Sequence, residues 1–153
     1  MLAVGDQAPD IHIKTYPDYE GPISTYWTNG PLVLFFYPMD NTPTCTKQAC
    51  TLRDNYAGFD RYDANVLGSS TGSLKTHKGY AEKHGIQFPL VSDKGSKLAK
   101  AFDADRFLLP ISKRVSYVIS KGGMVAGRCH DETNVGAHVK MIDDTLIALA
   151  GSN

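Results

Sequence analysis

Cysteine is scarce in this chain, with three in 153 residues, too few for a disulfide scaffold. In a cytosolic protein such cysteines are more often catalytic or metal-binding than structural. Charge of one sign is also lacking. The 16 Lys and Arg balance 16 Asp and Glu, and no basic block stands out, so nothing recommends a nucleic acid or an anionic membrane as partner. No apolar run approaches the roughly 18 residues that span a bilayer. The opening Met1-Leu2-Ala3-Val4-Gly5-Asp6 has no cationic segment followed by an apolar one; no export signal is visible, and a cytoplasmic location is expected. Repeats, low-complexity tracts and linkers are absent, so one domain over 1–153 is expected, long enough for a real core. No C-x-x-C pair argues for a dithiol–disulfide reductase. No histidine has a helix-spaced H-x-x-x-H partner, and most of the five are expected at the surface.

What is present is an alternation of strand and helix signals. Short strands are expected at 11–14 and 23–26, and a clear one at 32–37. A helix from about Thr44 should reach Phe59. A strand at 64–69 precedes a helix over 73–84, with Ser73 as N-cap and Gly85 ending it. Further on come a strand at 88–91, a helix near 96–102, and a hairpin of 115–119 with 124–128 around Lys121-Gly122-Gly123. Val139, Ile142, Leu146 and Leu149 recur at helical spacing in a last amphipathic helix. The order predicts an α/β fold, a central mixed sheet flanked by helices.

The informative stretch is Phe35-Phe36-Tyr37-Pro38-Met39-Asp40-Asn41-Thr42-Pro43-Thr44-Cys45. A buried strand runs into a polar turn, and a cysteine follows in the first turn of a helix. The first amides of a helix have no internal partners. Together with the helix dipole they favour an anion, here a thiolate. Cys45 is therefore the candidate nucleophile; the alternative is a small buried core residue. Thr42 has a hydroxyl that suits a helix cap or a bond to the site. Pro38 ends strand pairing because it donates no N–H, and Pro43 pre-sets the backbone at the helix start.

Pro38, Thr42 and Cys45 match P-x-x-x-T-x-x-C, and the chain resembles the peroxiredoxins, thiol peroxidases with a thioredoxin-like fold. The longer T-P-x-C-T-x-x-A-C, followed by Arg53-Asp54, resembles the Q-type subfamily, the bacterioferritin comigratory proteins. The stretches 67–70, 77–78, 81–85 and 88–93 also look like the middle of Q-type sequences. The resemblance implies that Thr42 bonds thiolate and peroxide and that Pro38 shields the thiolate from water. Arg114-Val115-Ser116-Tyr117-Val118-Ile119 resembles the family's R-x-[ST]-[FY]-x-[IV], whose arginine faces the nucleophile. A guanidinium there, permanently charged and a multi-donor fork, suits a thiolate and a peroxide oxygen; the alternative is a solvated arginine beside Lys113. The implied reductant is thioredoxin or a similar dithiol, with no metal, flavin or haem, and the implied assembly a monomer or weak dimer.

Cys50 is the candidate resolving cysteine. Five residues on in one helix, it lies ~7.5 Å along the axis and ~140° around it from Cys45. A disulfide needs Cα atoms within about 7 Å, so pairing requires the helix to unwind. The alternatives are a core role for Cys50, leaving a one-cysteine peroxidase served by an external thiol, and a zinc domain using Cys45, Cys50, Cys129 and His130, at a marginal spacing. Cys129 matches no family position and reads as a spare thiol. The match departs at Gln48, where many peroxiredoxins carry Glu, at Thr44 in place of a common Gly, at Ser120 where Asp is frequent, and in the segment 101–113, which is short for the subfamily. His77 falls in a family-like S-H-K stretch and is assigned no chemistry.

Overall fold

The apolar run Leu32–Phe36 is buried at every position, which only a central strand covered on both faces explains. A computed structural model of the chain describes residues 1–106 and 109–151. In chain order the elements are β1 (His12–Tyr16), β2 (Tyr19–Pro22), a 3₁₀ turn (Ile23–Trp27), β3 (Leu32–Phe36), α1 (Pro43–Asp54), α2 (Tyr56–Asp60), β4 (Asn65–Ser70), α3 (Leu74–His84), β5 (Leu90–Ser92), a 3₁₀ turn (Lys94–Ser96), α4 (Lys97–Ala101), β6 (Asp105–Arg106), β7 (Leu109–Ser112), β8 (Val115–Ile119), β9 (Val125–His130) and α5 (Val135–Gly151). The main sheet has the order β2-β1-β5-β4-β3-β8-β9. Strands β3, β4 and β5 run parallel, while β8 and β1 join them antiparallel. The expected mixed sheet with flanking helices is thus observed, and β6 and β7 pair antiparallel in a separate two-stranded sheet.

Alternation along β3 divides the core. Leu32, Leu34 and Phe36 point to one face, with Ile23, Trp27, Leu98, Phe102 and Tyr117. Val33, Phe35 and Tyr37 point to the other, where Cys45, Ala49 and Leu52 of α1 pack with Tyr80 of α3 and Ile142 and Leu146 of α5. The reactive stretch therefore sits on the more heavily helical face.

Ser73 caps α3 as expected, its side chain accepting from the Thr76 amide, and Gly85 closes the helix in the left-handed region at φ 60°. The turn between β8 and β9 has Gly122 and Gly123 at φ 94° and 103°, where side-chain-bearing residues are strained. Two expectations need correction. Residues 23–26 are not a strand: they lie in the 3₁₀ turn Ile23–Trp27, which buries Ile23 and Trp27 at its two ends. The helix to Phe59 breaks at Asn55, whose side-chain amide donates to the Thr51 carbonyl at 2.8 Å and competes with the backbone ladder. Most of the histidines stay out of the core as expected, but His77 and His138 are fully buried, because each ring finds two polar partners. Of the short segment 101–113, Phe107 and Leu108 lie outside the described residues.

Candidate active site

Strand β3 leads into Tyr37, whose amide donates to the Ser69 carbonyl at 3.0 Å. Pro38 stops the pairing, and the chain turns through Asn41, at φ 64°, into α1. Thr42 holds the N-cap position and Pro43 the first turn. Thr46 is the first α1 residue to reach back, its amide donating to the Thr42 carbonyl at 2.8 Å. The amides of Thr44 and Cys45 thus belong to the first turn, which offers them no helical acceptor. Cys45 is buried, 1% exposed, on the core face of α1.

Arg114 comes to it from the start of β8, sixty-nine residues away in the chain. Its Nη2 stands 3.3 Å from Cys45 Sγ, and the side chain is 4% exposed. The geometry excludes the solvated alternative. Two further guanidinium bonds and one from the backbone hold the residue. Nη1 donates to Gln48 Oε1 at 2.7 Å, Nε donates to the Glu132 carbonyl at 3.0 Å, and the Arg114 amide donates to Glu132 Oε2 at 3.1 Å. The Glu132 carboxylate also pairs with Arg106 and His130. Burial pushes its carboxyl up, but His130, the Arg114 amide and Arg106 outweigh this and leave it below the usual range. A guanidinium desolvated and oriented in this way can stabilise negative charge on the sulfur and on a second atom beside it.

Of the two expected arrangements the cap is not made: the Thr42 Oγ1 donates to the Met39 carbonyl at 3.0 Å. With its proton committed there, the hydroxyl presents lone pairs rather than a donor. Pro38 is half-buried between Tyr37 and the exposed Met39. Gln48 stands where a carboxylate was the family expectation. Its oxygen serves Arg114, while its buried Nε2 finds no partner among the described residues.

Cys50 lies half-buried further along α1, and all three cysteines are free thiols. Cys129 sits on β9 opposite Ser116, and burial, then the charge of Asp131, pushes its thiol up. Among the described residues no three His, Cys, Asp or Glu side chains stand together as metal ligands, so the zinc alternative lacks a site.

Sequence reasoning missed the polar groups that hold this centre. Asp40, in the turn before Cys45, meets His77 Nδ1 at 2.6 Å and accepts from the Tyr37 hydroxyl at 2.6 Å. Behind Arg114, His138 meets Ser116 Oγ and the Asp131 carbonyl, both at 2.8 Å. An Asp inside a turn and a His inside an apolar helix face are the only local signals of either contact.

The model of the AhpC/TSA family matches residues 4–128. The chloroplastic Peroxiredoxin Q of Sedum lineare is 39% identical over 145 residues, 93% of this chain and 75% of that protein. This chain belongs to the AhpC/TSA family, in its peroxiredoxin Q branch. The solved structure of the peroxidoxin BcpB from Mycobacterium tuberculosis superposes with a TM-score of 0.90 at 32% identity, covering 97% of this chain and 99% of that one. A PrxQ mutant from Xylella fastidiosa gives 0.86 at 28% identity, with 98% of each chain covered. The protein is thus a peroxidase of the peroxiredoxin type, with a thioredoxin-like fold. A peroxiredoxin uses a peroxide as substrate and a thiol as reductant.

Proposed function

We propose that this peroxiredoxin reduces hydrogen peroxide and organic hydroperoxides through Cys45, with Cys50 as resolving thiol and thioredoxin or a similar dithiol as reductant. The observation that carries the reading is the 3.3 Å approach of Arg114 Nη2 to Cys45 Sγ in a buried site. Sulfur attacks one peroxide oxygen. The S–O bond forms as the O–O bond breaks, and the departing oxygen takes a proton to leave as water or an alcohol. Charge builds on sulfur and oxygen together, and a fixed donor fork beside both lowers the barrier. The free amides of the first turn of α1 add donors on the same side. Thr42 Oγ1 accepts from the peroxide hydroxyl, and Pro38 keeps water from the sulfur.

The Cys45 sulfenic acid then condenses with the Cys50 thiol, forming an S–S bond and releasing water. Cys50 lies within the same intact helix, so α1 must open for the sulfurs to meet. A dithiol reductant returns two electrons and two protons by exchange and restores both thiols. Three free thiols suit a reducing compartment, and we place the protein in the cytoplasm as a monomer or weak dimer.

The test is peroxide-dependent NADPH oxidation with thioredoxin and thioredoxin reductase, for wild type, Cys45→Ser and Cys50→Ser. Turnover by wild type and failure of both variants is the expected result. Survival of turnover in Cys50→Ser would replace the two-cysteine cycle by a one-cysteine enzyme with an external thiol.

A further inference from the structure

The Asp40–His77 contact is buried to a degree that surface ion pairs never reach. His77 and Tyr37 are fully inaccessible and Asp40 is 5% exposed. Both imidazole nitrogens face acceptors: Nε2 lies 2.8 Å from the Val91 carbonyl of β5, and Nδ1 lies 2.6 Å from Asp40 Oδ2. A carbonyl only accepts, so Nε2 carries a proton. A second proton is shared between Nδ1 and Oδ2. The remaining carboxylate oxygen takes the Tyr37 hydroxyl at 2.6 Å. Burial, then the Asp40 charge, push the Tyr37 phenol up, so it remains a donor. Gly72 makes room for the pair: a Cβ there would lie 3.0 Å from His77 Cε1 and 3.5 Å from Asp40 Oδ2.

The placement of the pair gives it meaning. Asp40 lies midway between Pro38 and Thr42, in the turn that leads into α1 and Cys45, while His77 belongs to α3, thirty-seven residues on. A buried ion pair adds little net stability compared with well-packed apolar groups, but its directional bonds fix the position of what carries them. We propose that His77 is a positioning residue of the peroxidase: through Asp40 it locks the 38–42 turn in the conformation that lets Cys45 meet a peroxide. The inference rests on the peroxidase reading of Cys45. It deepens that reading by making reactivity depend on a side chain that touches neither sulfur nor substrate.

The geometry makes an unusual demand. With Nε2–H held by Val91, a neutral His77 has an accepting Nδ1. An asparagine at 40 can donate to it and still accept from Tyr37, so Asp40→Asn preserves every bond without the charge. His77→Leu removes the lock and leaves Asp40 facing only Tyr37.

The full chain is tested as wild type, His77→Leu, Asp40→Asn and Tyr37→Phe, each shown to be folded by circular dichroism and melting. Two rates are read: oxidation of Cys45 by hydrogen peroxide, in competition with a haem peroxidase, and alkylation of Cys45 by iodoacetamide, followed on its peptide by mass spectrometry. Peroxide needs the placed turn, whereas the alkylating agent needs only an accessible sulfur. The expected result is a peroxide rate about tenfold or more lower in His77→Leu, a much smaller fall in alkylation, and an Asp40→Asn protein that keeps the wild-type peroxide rate. A folded His77→Leu protein oxidised at the wild-type rate overturns the proposal. So does an equal fall in both rates, or a loss in Asp40→Asn as large as in His77→Leu. If His77→Leu does not fold, Tyr37→Phe decides, since it deletes one hydroxyl. A lowered ratio of peroxide to alkylation rate supports the lock, and an unchanged ratio overturns it. A wild type inert to peroxide sinks the peroxidase reading and this inference with it, and the unmutated control alone reveals that case.

Discussion

The two ends of α1 are held by different physics. At the front, the turn and first residues are fixed by buried, directional, charged bonds from three other parts of the fold: His77 of α3 on Asp40, Arg114 just before β8 on Cys45 and Gln48, and the Tyr37 hydroxyl just after β3. At the rear, the deep anchors are the apolar Ala49 and Leu52. The polar ones there are partly exposed: Arg53 Nη1 on the His84 carbonyl at 2.5 Å and the Asn55 amide on Thr51. Apolar contact is non-directional and can be exchanged for other apolar contact; a buried ion pair cannot be moved without loss. On the proposed cycle this is a division of labour: Cys45 sits at the end held by directional bonds, and Cys50 lies toward the end held by apolar contact.

The largest effect should follow from breaking the front. Arg114→Ala removes the fork beside Sγ, and the rate of Cys45 oxidation should fall about 10²–10³-fold, the scale seen when one fixed oxyanion donor is lost. Stopped-flow measurement with hydrogen peroxide checks it. Arg114→Lys should recover little, because an ammonium reaches Cys45 or Gln48 but cannot span both as the fork does. A near-wild-type rate for either variant would mean that the first turn of α1 alone activates the sulfur.

The rear is probed next. On oxidation of wild type, amides of 46–52 should lose their exchange protection, while those of β3 and of α3 around His77 keep theirs. In Cys50→Ser no such loss should occur, because the sulfenic acid has no partner within α1. Hydrogen exchange followed by mass spectrometry separates the two. Protection that persists across 46–52 in the oxidised wild type would leave α1 intact and rule out the Cys45–Cys50 disulfide.

A smaller effect is expected at Gln48, where front and rear meet. Its buried Nε2 lacks a partner among the described residues, and a buried orphan donor costs about 1–3 kcal/mol. Gln48→Glu deletes that donor and gives Arg114 an ionic partner. The expected outcome is a melting temperature higher by about 2–4 °C, corresponding to ~1 kcal/mol in a chain of this size. Scanning calorimetry reads it directly; a lower melting temperature would mean that burying the carboxylate costs more than the orphan amide.

How much of this was legible in the sequence follows the range of the interaction. Cys45 at a strand–turn–helix junction, the Ser73 cap, the Gly85 stop and the Gly122-Gly123 turn are local, and each was read from neighbouring residues. Ile23–Trp27 misled because five residues are too few to carry a decisive period. The Thr42 hydroxyl was free to choose among local acceptors and took the Met39 carbonyl. The family motif pointed to Arg114, but its burial depends on Gln48 and Glu132, which no spacing rule connects to it. His77 and His138 are the clearest losses. A histidine in an amphipathic helix gives no sign that two acceptors wait for it from distant strands and loops.

His138 also gives the smallest expected effect, and the only one read through pH. Burial holds its imidazole below the ordinary range, with the Arg114 cation adding to the shift. For a base whose folded pKa lies below its unfolded value, the unfolded chain binds the extra proton first. The His138 contribution to stability is therefore complete above the unfolded value near ~6.5 and is lost as pH falls below it toward the folded value. Melting temperature should drop between neutral and mildly acidic pH, and His138→Gln, an amide able to meet both Ser116 and Asp131, should flatten that drop. The glutamine variant should also keep most of the peroxide rate, because the loop that carries Glu132 stays bonded to α5. A flattened melting profile accompanied by lost activity would instead show that the mount of Arg114 needs the ring itself, and the rigid front of the site would then extend through β8 into α5.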